Sequence, residues 1–145
     1  MASDFDKMAE ELQKQVNEDY SEAVMDHAQN PRNVGIMQNP DGYASVTGPC
    51  GDTMEIWLKV KNNKVFEATF WTDGCGTTTA CGSQATVLAV GKTVGEALAI
   101  NPDVIVANLG GLPDDSIHCA GLASSTLKKA LINYMNWQKE PWKRA

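Results

Sequence analysis

The chain has no CxxC pair, no nucleotide-binding glycine loop and only two histidines, His27 and His118. Each shortage excludes something. Without CxxC there is neither a thioredoxin-like redox motif nor a zinc ribbon. No Ser/His/Asp arrangement suggests a hydrolase. Charged residues interrupt every apolar stretch well short of the run of about 18 that a membrane span requires, so no membrane partner is expected. The opening Met1-Ala2-Ser3-Asp4-Phe5-Asp6 lacks the basic and then apolar regions of a secretory signal. A cytoplasmic location with reduced thiols is the expectation. Basic charge is also scarce: 12 Lys and Arg stand against 18 Asp and Glu, a net −6. Residues 1–30 hold eight acids against Lys7 and Lys14, and the remainder balances. No nucleic-acid partner is expected of so acidic a chain. The acidic end reads as a solvated helix face or as a surface that steers a basic protein.

What is present suits one globular domain. The 145 residues are 43% hydrophobic and 21% charged, enough apolar material for a real core and too little chain for two. Phe5, Met8, Leu12 and Val16 recur at helical spacing, so residues 1–19 are expected as an acidic helix or arm, 20–138 as the main domain and 139–145 as a tail. Tyr20 to Gln29 reads as a helix closed by Asn30-Pro31. From Met54 the period changes to two: Met54, Ile56, Leu58 and Val60 alternate with Thr53, Glu55, Trp57 and Lys59. Lys61-Asn62-Asn63-Lys64 supplies a turn, and Val65–Thr72 resumes with Phe66, Ala68 and Phe70 on one face. An earlier strand is expected at Tyr43–Thr47. Helices follow at Thr77–Val90, at Thr93–Ile100 with a capping box from Thr93 and Glu96, at Asp103–Leu109, and from about Cys119 to Gln138. Strands first and helices afterwards predict an α+β fold, a small antiparallel meander sheet with helices packed on one face.

Chemistry concentrates at the cysteines. Cys50 lies in Gly48-Pro49-Cys50-Gly51-Asp52 before a strand, Cys75 in Asp73-Gly74-Cys75-Gly76 after one, and Cys119 follows His118 at a helix start. Glycine neighbours and helix N-termini favour exposed, thiolate-prone sulfur, so these three are expected to be reactive and to converge at one end of the fold. Cys81, inside a helix, suits a structural role. Thiolates and imidazole are ligands for zinc, iron–sulfur clusters or copper(I), and Asp52 adds one harder oxygen. His118 and Cys119, being adjacent, should diverge by about 100° on a helix. His27 reads as a surface or helix-terminal residue.

Cys50-Gly51-Asp52, Asp73-Gly74-Cys75-Gly76 and His118-Cys119, with Tyr20-Ser21-Glu22, Asn30-Pro31-Arg32-Asn33-Val34-Gly35 and Gly91-Lys92-Thr93-Val94, resemble the IscU/NifU N-terminal family of iron–sulfur cluster assembly scaffolds. The resemblance covers about residues 20–135. It implies a compact α+β domain, a scaffold rather than an enzyme, that assembles a cluster, usually 2Fe-2S, and hands it to acceptor apoproteins. Carried over, Cys50, Cys75 and Cys119 would be the thiolate ligands, Asp52 and His118 nearby ligands or modulators, and Cys119 the acceptor of persulfide sulfur from a cysteine desulfurase. If the cluster bridges two subunits, a second copy of the chain is also a partner. Cys81 stands where a small polar residue is more usual and could serve as a reserve ligand. Ser116 and Leu112-Pro113-Asp114-Asp115-Ser116 replace a segment that recruits an Hsp70-type chaperone, so that partner is not carried over. The alternative is a zinc-binding sulfur-transfer protein of the SufU kind using Cys50, Asp52, Cys75 and Cys119, since three thiolates and one oxygen make a plausible tetrahedral zinc site.

Overall fold

The computed structural model describes residues 20–139. The expected N-terminal helix over Phe5–Val16 and residues 140–145 lie outside them. Helix α1, Glu22–Gln29, starts at Ser21, whose hydroxyl accepts the Val24 N–H and donates to the Leu109 carbonyl. It stops at Asn30, ahead of Pro31, as the residue before proline resists helical geometry. Three strands follow, β1 (Gly42–Thr47), β2 (Thr53–Lys61) and β3 (Lys64–Thr72), in an antiparallel meander of order β1-β2-β3. Asn62 and Asn63 form the β2–β3 turn with φ of 54° and 62°, the left-handed pair that a tight hairpin demands.

The alternation in β2 holds for the core: Met54, Ile56 and Leu58 are each 0% exposed. In β3 it breaks. Lys59 pairs with Glu67 but Val60 pairs with Val65, so Phe66 is an extra residue bulged out of the ladder. Phe66 is therefore exposed, and Val65, rather than Phe66, joins Ala68 and Phe70 inside. Trp57 departs in the other direction. It sits on the outer sheet face with the polar alternates, as its register requires, yet it is buried, its ring centroid 5.3 Å from that of Tyr43.

The helices are α2 (Gly76–Ala89), α3 (Val94–Leu98), α4 (Pro102–Asn108) and α5 (Ile117–Lys139), the last preceded by a single 3-10 turn, Asp114–Ser116. The capping box expected at α3 is present in both directions, Thr93 Oγ1 accepting from the Glu96 N–H and Glu96 Oε1 from the Thr93 N–H. Helix α5 lies across β1 and β2, and α2 lies on β3 and against α5, so the expected α+β architecture with helices on one sheet face is what forms. Two glycines permit the close approach. A Cβ on Gly42 would stand 2.5 Å from the Ala130 carbonyl of α5, and one on Gly82 would stand 2.6 Å from the Phe70 ring. None of the described helices is long and apolar enough to cross a membrane.

Candidate functional site

The meander itself brings the first two cysteines together. The end of β1, the start of β2 and the end of β3 share one edge of the sheet, with Met54 paired to Thr72. Cys50 is therefore in the β1–β2 turn and Cys75 just past β3, and Asp73 Oδ1 ties the two by accepting the Thr53 N–H at 2.8 Å. The Cys50 turn is closed by Gly51 N–H to the Gly48 carbonyl and Gly48 N–H to the Asp52 carbonyl. Gly51 has φ +92°, a conformation side chains resist, which explains the glycine after Cys50. Cys75 is the N-cap residue of α2, and Cys119 lies in the first turn of α5.

The meeting point is a residue the sequence reading did not single out. Thr78, 0% exposed, places Oγ1 at 3.2 Å from Asp52 Oδ2, 3.4 Å from Cys119 Sγ and 3.8 Å from Cys75 Sγ. The available signal was its spacing: three residues after a cysteine that opens a helix, Thr78 lies on the face above it. Cys50 belongs to this end of the molecule too, in the turn closed by Gly48 and Asp52, whose carboxylate meets Thr78. The three cysteines thus converge as expected. Among the described residues, however, no three His, Cys, Asp or Glu side chains stand close enough to hold a metal ion as they are. The donor set is gathered but open.

The thiols differ electrostatically. At Cys75 burial works against the charged form, but the N–H groups of Thr78 and Thr77 at the helix start and the Thr78 hydroxyl outweigh it, with Asp52 opposing, and the pKa falls below the ordinary thiol value. At Cys119 burial dominates and raises the pKa; the Thr78 hydroxyl counteracts it, while Cys75, Cys50 and Asp52 add to the rise. The expectation of a thiolate-prone Cys119 is thus corrected: the residue is 3% exposed, and desolvation beats the helix N-terminus. Cys81 is fully buried in α2, and burial, then the neighbouring Cys119 and Cys75, pushes its thiol strongly up.

His118 Nε2 lies 3.6 Å from Cys119 Sγ. The two side chains meet although both residues lie in the first turn of α5, which the 3-10 turn over residues 114–116 precedes. Ser116 in that turn is buried and bonded to the Tyr20 hydroxyl at 3.0 Å. His27 is helix-terminal, one of the two expected placements, and not on the surface: it is buried, with Nδ1 at 2.7 Å from Ser83 Oγ, and burial lowers its pKa. Two apolar hollows flank the cysteines, one of about 320 Å³ between Cys75 and Tyr20, Val24 and Met25, the other of about 310 Å³ beside Pro49, His118 and Leu122.

Fold and donor set together define a small α+β domain that presents thiols and one carboxylate at an open sheet end. The family model described as NifU-like N terminal domain matches residues 19–141, and the chain belongs to that family. It is 47% identical over 116 residues to the iron-sulfur cluster assembly scaffold protein IscU 1 of Archaeoglobus fulgidus, covering 79% of this chain and 76% of that protein. It is 42% identical over 120 residues to the scaffold protein IscU of Escherichia coli K12, covering 79% and 93%. The N-terminal NifU-like structure from Brucella abortus shares the fold at a TM-score of 0.67 and 18% identity, over 83% of this chain and 97% of that one.

Proposed function

We propose that the chain is a scaffold that assembles a labile iron–sulfur cluster, expected as 2Fe-2S, and transfers it to acceptor apoproteins. The cluster is its cargo, and the protein is a carrier rather than an enzyme. The observation that carries this reading is the gathering of Asp52, Cys75 and Cys119 around one hydroxyl, beside the exposed Cys50 turn, in a chain of this family. Soft thiolates suit iron and sulfide, and a carboxylate oxygen is a weak ligand for them, so a site of this composition releases as well as binds. An open arrangement serves the same end.

In this reading Cys50, Cys75 and Cys119 are the thiolate ligands, Asp52 the oxygen that keeps the cluster labile, and His118 a nitrogen ligand or proton carrier at the Cys119 sulfur. A cysteine desulfurase supplies sulfur to Cys119 as persulfide. One observation favours a second reading of that step: Cys75 is exposed and its pKa is lowered, whereas Cys119 is buried and its pKa is raised, so an incoming persulfide meets the Cys75 sulfur first. Cys81 is the remaining sulfur, a reserve ligand that must leave its buried position to join.

Anaerobic reconstitution with ferrous iron, cysteine, a cysteine desulfurase and dithiothreitol, which reduces the persulfide sulfur to sulfide, tests the reading. Coloured protein with iron and acid-labile sulfide is expected, and Cys50→Ser, Cys75→Ser and Cys119→Ser should each lose both. A colourless protein holding one zinc per chain would instead establish the zinc-dependent sulfur-transfer alternative. Full loading of any one variant would remove that cysteine from the ligand set.

A further inference from the structure

We infer that Thr78 is a positioning residue of this site: its hydroxyl holds the Asp52 carboxylate against Cys75 and Cys119 and thereby sets how readily the cluster is released. The inference rests on the ligand set proposed above. Oγ1 lies within 3.2 Å of Asp52 Oδ2, 3.4 Å of Cys119 Sγ and 3.8 Å of Cys75 Sγ, yet it carries one proton. That proton can be given to one acceptor at a time, Asp52 Oδ2 or Cys119 Sγ, and the carboxylate is the stronger acceptor of the two. One hydroxyl then links three separate segments: the β1–β2 turn, the N-terminus of α2 and the first turn of α5.

Two features mark this placement as built into the fold. Thr86 and Thr126 turn their hydroxyls back onto helix carbonyls, at 2.8 Å and 2.7 Å, the usual resort of a threonine inside a helix. Thr78 instead aims its hydroxyl across to Asp52 and Cys119. Gly74 supplies the room. A Cβ there would fall within 2.7–2.8 Å of the Thr78 side chain, so the loop that carries Cys75 closes over Thr78 only because Gly74 has none. Asp52 is half-buried at the end of an exposed turn, so that without the hydroxyl its carboxylate is free to turn outward to water, away from the cluster ligands.

The test compares Thr78→Val, which keeps the shape and removes the hydroxyl, with Thr78→Ser, which keeps the hydroxyl. Thr78→Ala serves as a second hydroxyl-free variant should valine disturb folding, as checked by circular dichroism. In cluster transfer to an apo-ferredoxin, Asp52→Ala is expected to be slow. Thr78→Val should slow it about fivefold, the factor that corresponds to about 1 kcal/mol for one hydrogen bond. Thr78→Ser should stay near wild type, and Asp52→Ala/Thr78→Val should be no slower than Asp52→Ala alone, because the two act as one unit. In the metal-free protein the Gly48 amide, which is bonded to the Asp52 carbonyl, should exchange faster in Thr78→Val and normally in Thr78→Ser. Wild-type transfer by Thr78→Val, by Thr78→Ala or by Asp52→Ala, additive effects in the double variant, or a serine variant that behaves like valine would each overturn the inference. Failure of the ligand set shows itself separately, as full iron and sulfide in Cys75→Ser or Cys119→Ser.

Discussion

Gly82→Ala should destabilise the domain although alanine is the better helix former. In α2 the substitution recovers up to about 1 kcal/mol of intrinsic helix propensity. Against that, the new methyl would lie 2.6 Å from Cδ2 and Cε2 of Phe70 and 3.1 Å from the Met54 methyl. The methionine end can rotate aside. Phe70 is 1% exposed, packed on every side, and its ring is rigid. Carbon atoms need about 3.5–4.0 Å, so α2 and β3 must separate by about 1 Å, and overpacking of a filled core costs about 1–3 kcal/mol. The balance is a loss of about 1 kcal/mol. Gly95→Ala is the control: it is also helical, its Cβ meets nothing within 4 Å, and it should gain a fraction of about 1 kcal/mol. Urea unfolding of the metal-free proteins, followed by circular dichroism at equal m-values, reads both changes. A Gly82→Ala protein as stable as wild type would refute the claim that helix–sheet contact, and with it the placement of Cys75 and Thr78 on α2, depends on the bare backbone at that point.

Cys81→Ser should load iron and sulfide as wild type does, because a fully buried, protonated thiol is not available to a cluster in this conformation; loss equal to that of Cys75→Ser would make it an obligatory ligand. His27 has a folded-state pKa below its unfolded value of about 6.5, so the unfolded chain binds more protons and stability should fall as the pH drops from about 6.5 towards that lower folded value. His27→Gln should flatten this acid slope in denaturant titrations between pH 7 and pH 5, and an unchanged slope would contradict the assignment. Thr93→Ala, which breaks the capping box of α3, should cost about 1 kcal/mol in the same unfolding assay, and no loss would mean the box contributes nothing to the native state.

Features that depend on neighbours in the chain were legible in the sequence alone. The period-two run from Met54, the Asn62-Asn63 turn, the Thr93–Glu96 cap and the stop at Asn30-Pro31 are local steric and hydrogen-bonding preferences, and all of them are realised. So is the meander order, because consecutive strands joined by short turns have little choice but to pair. That order by itself sends Cys50 and Cys75 to the same sheet end. The rest is decided by residues far apart in sequence. Phe66 is displaced because β3 must match β2 on one side while Val65 fills the core on the other. His27 is buried because α1 lies against α2, where Ser83 meets its ring. Cys119 carries a raised pKa although it opens a helix, since the cost of desolvation depends on what packs over the sulfur and not on its position in α5. Thr78 reads in sequence as one of three consecutive threonines; only the folding of the β1–β2 turn and α5 onto the start of α2 brings Asp52 and Cys119 to its single hydroxyl.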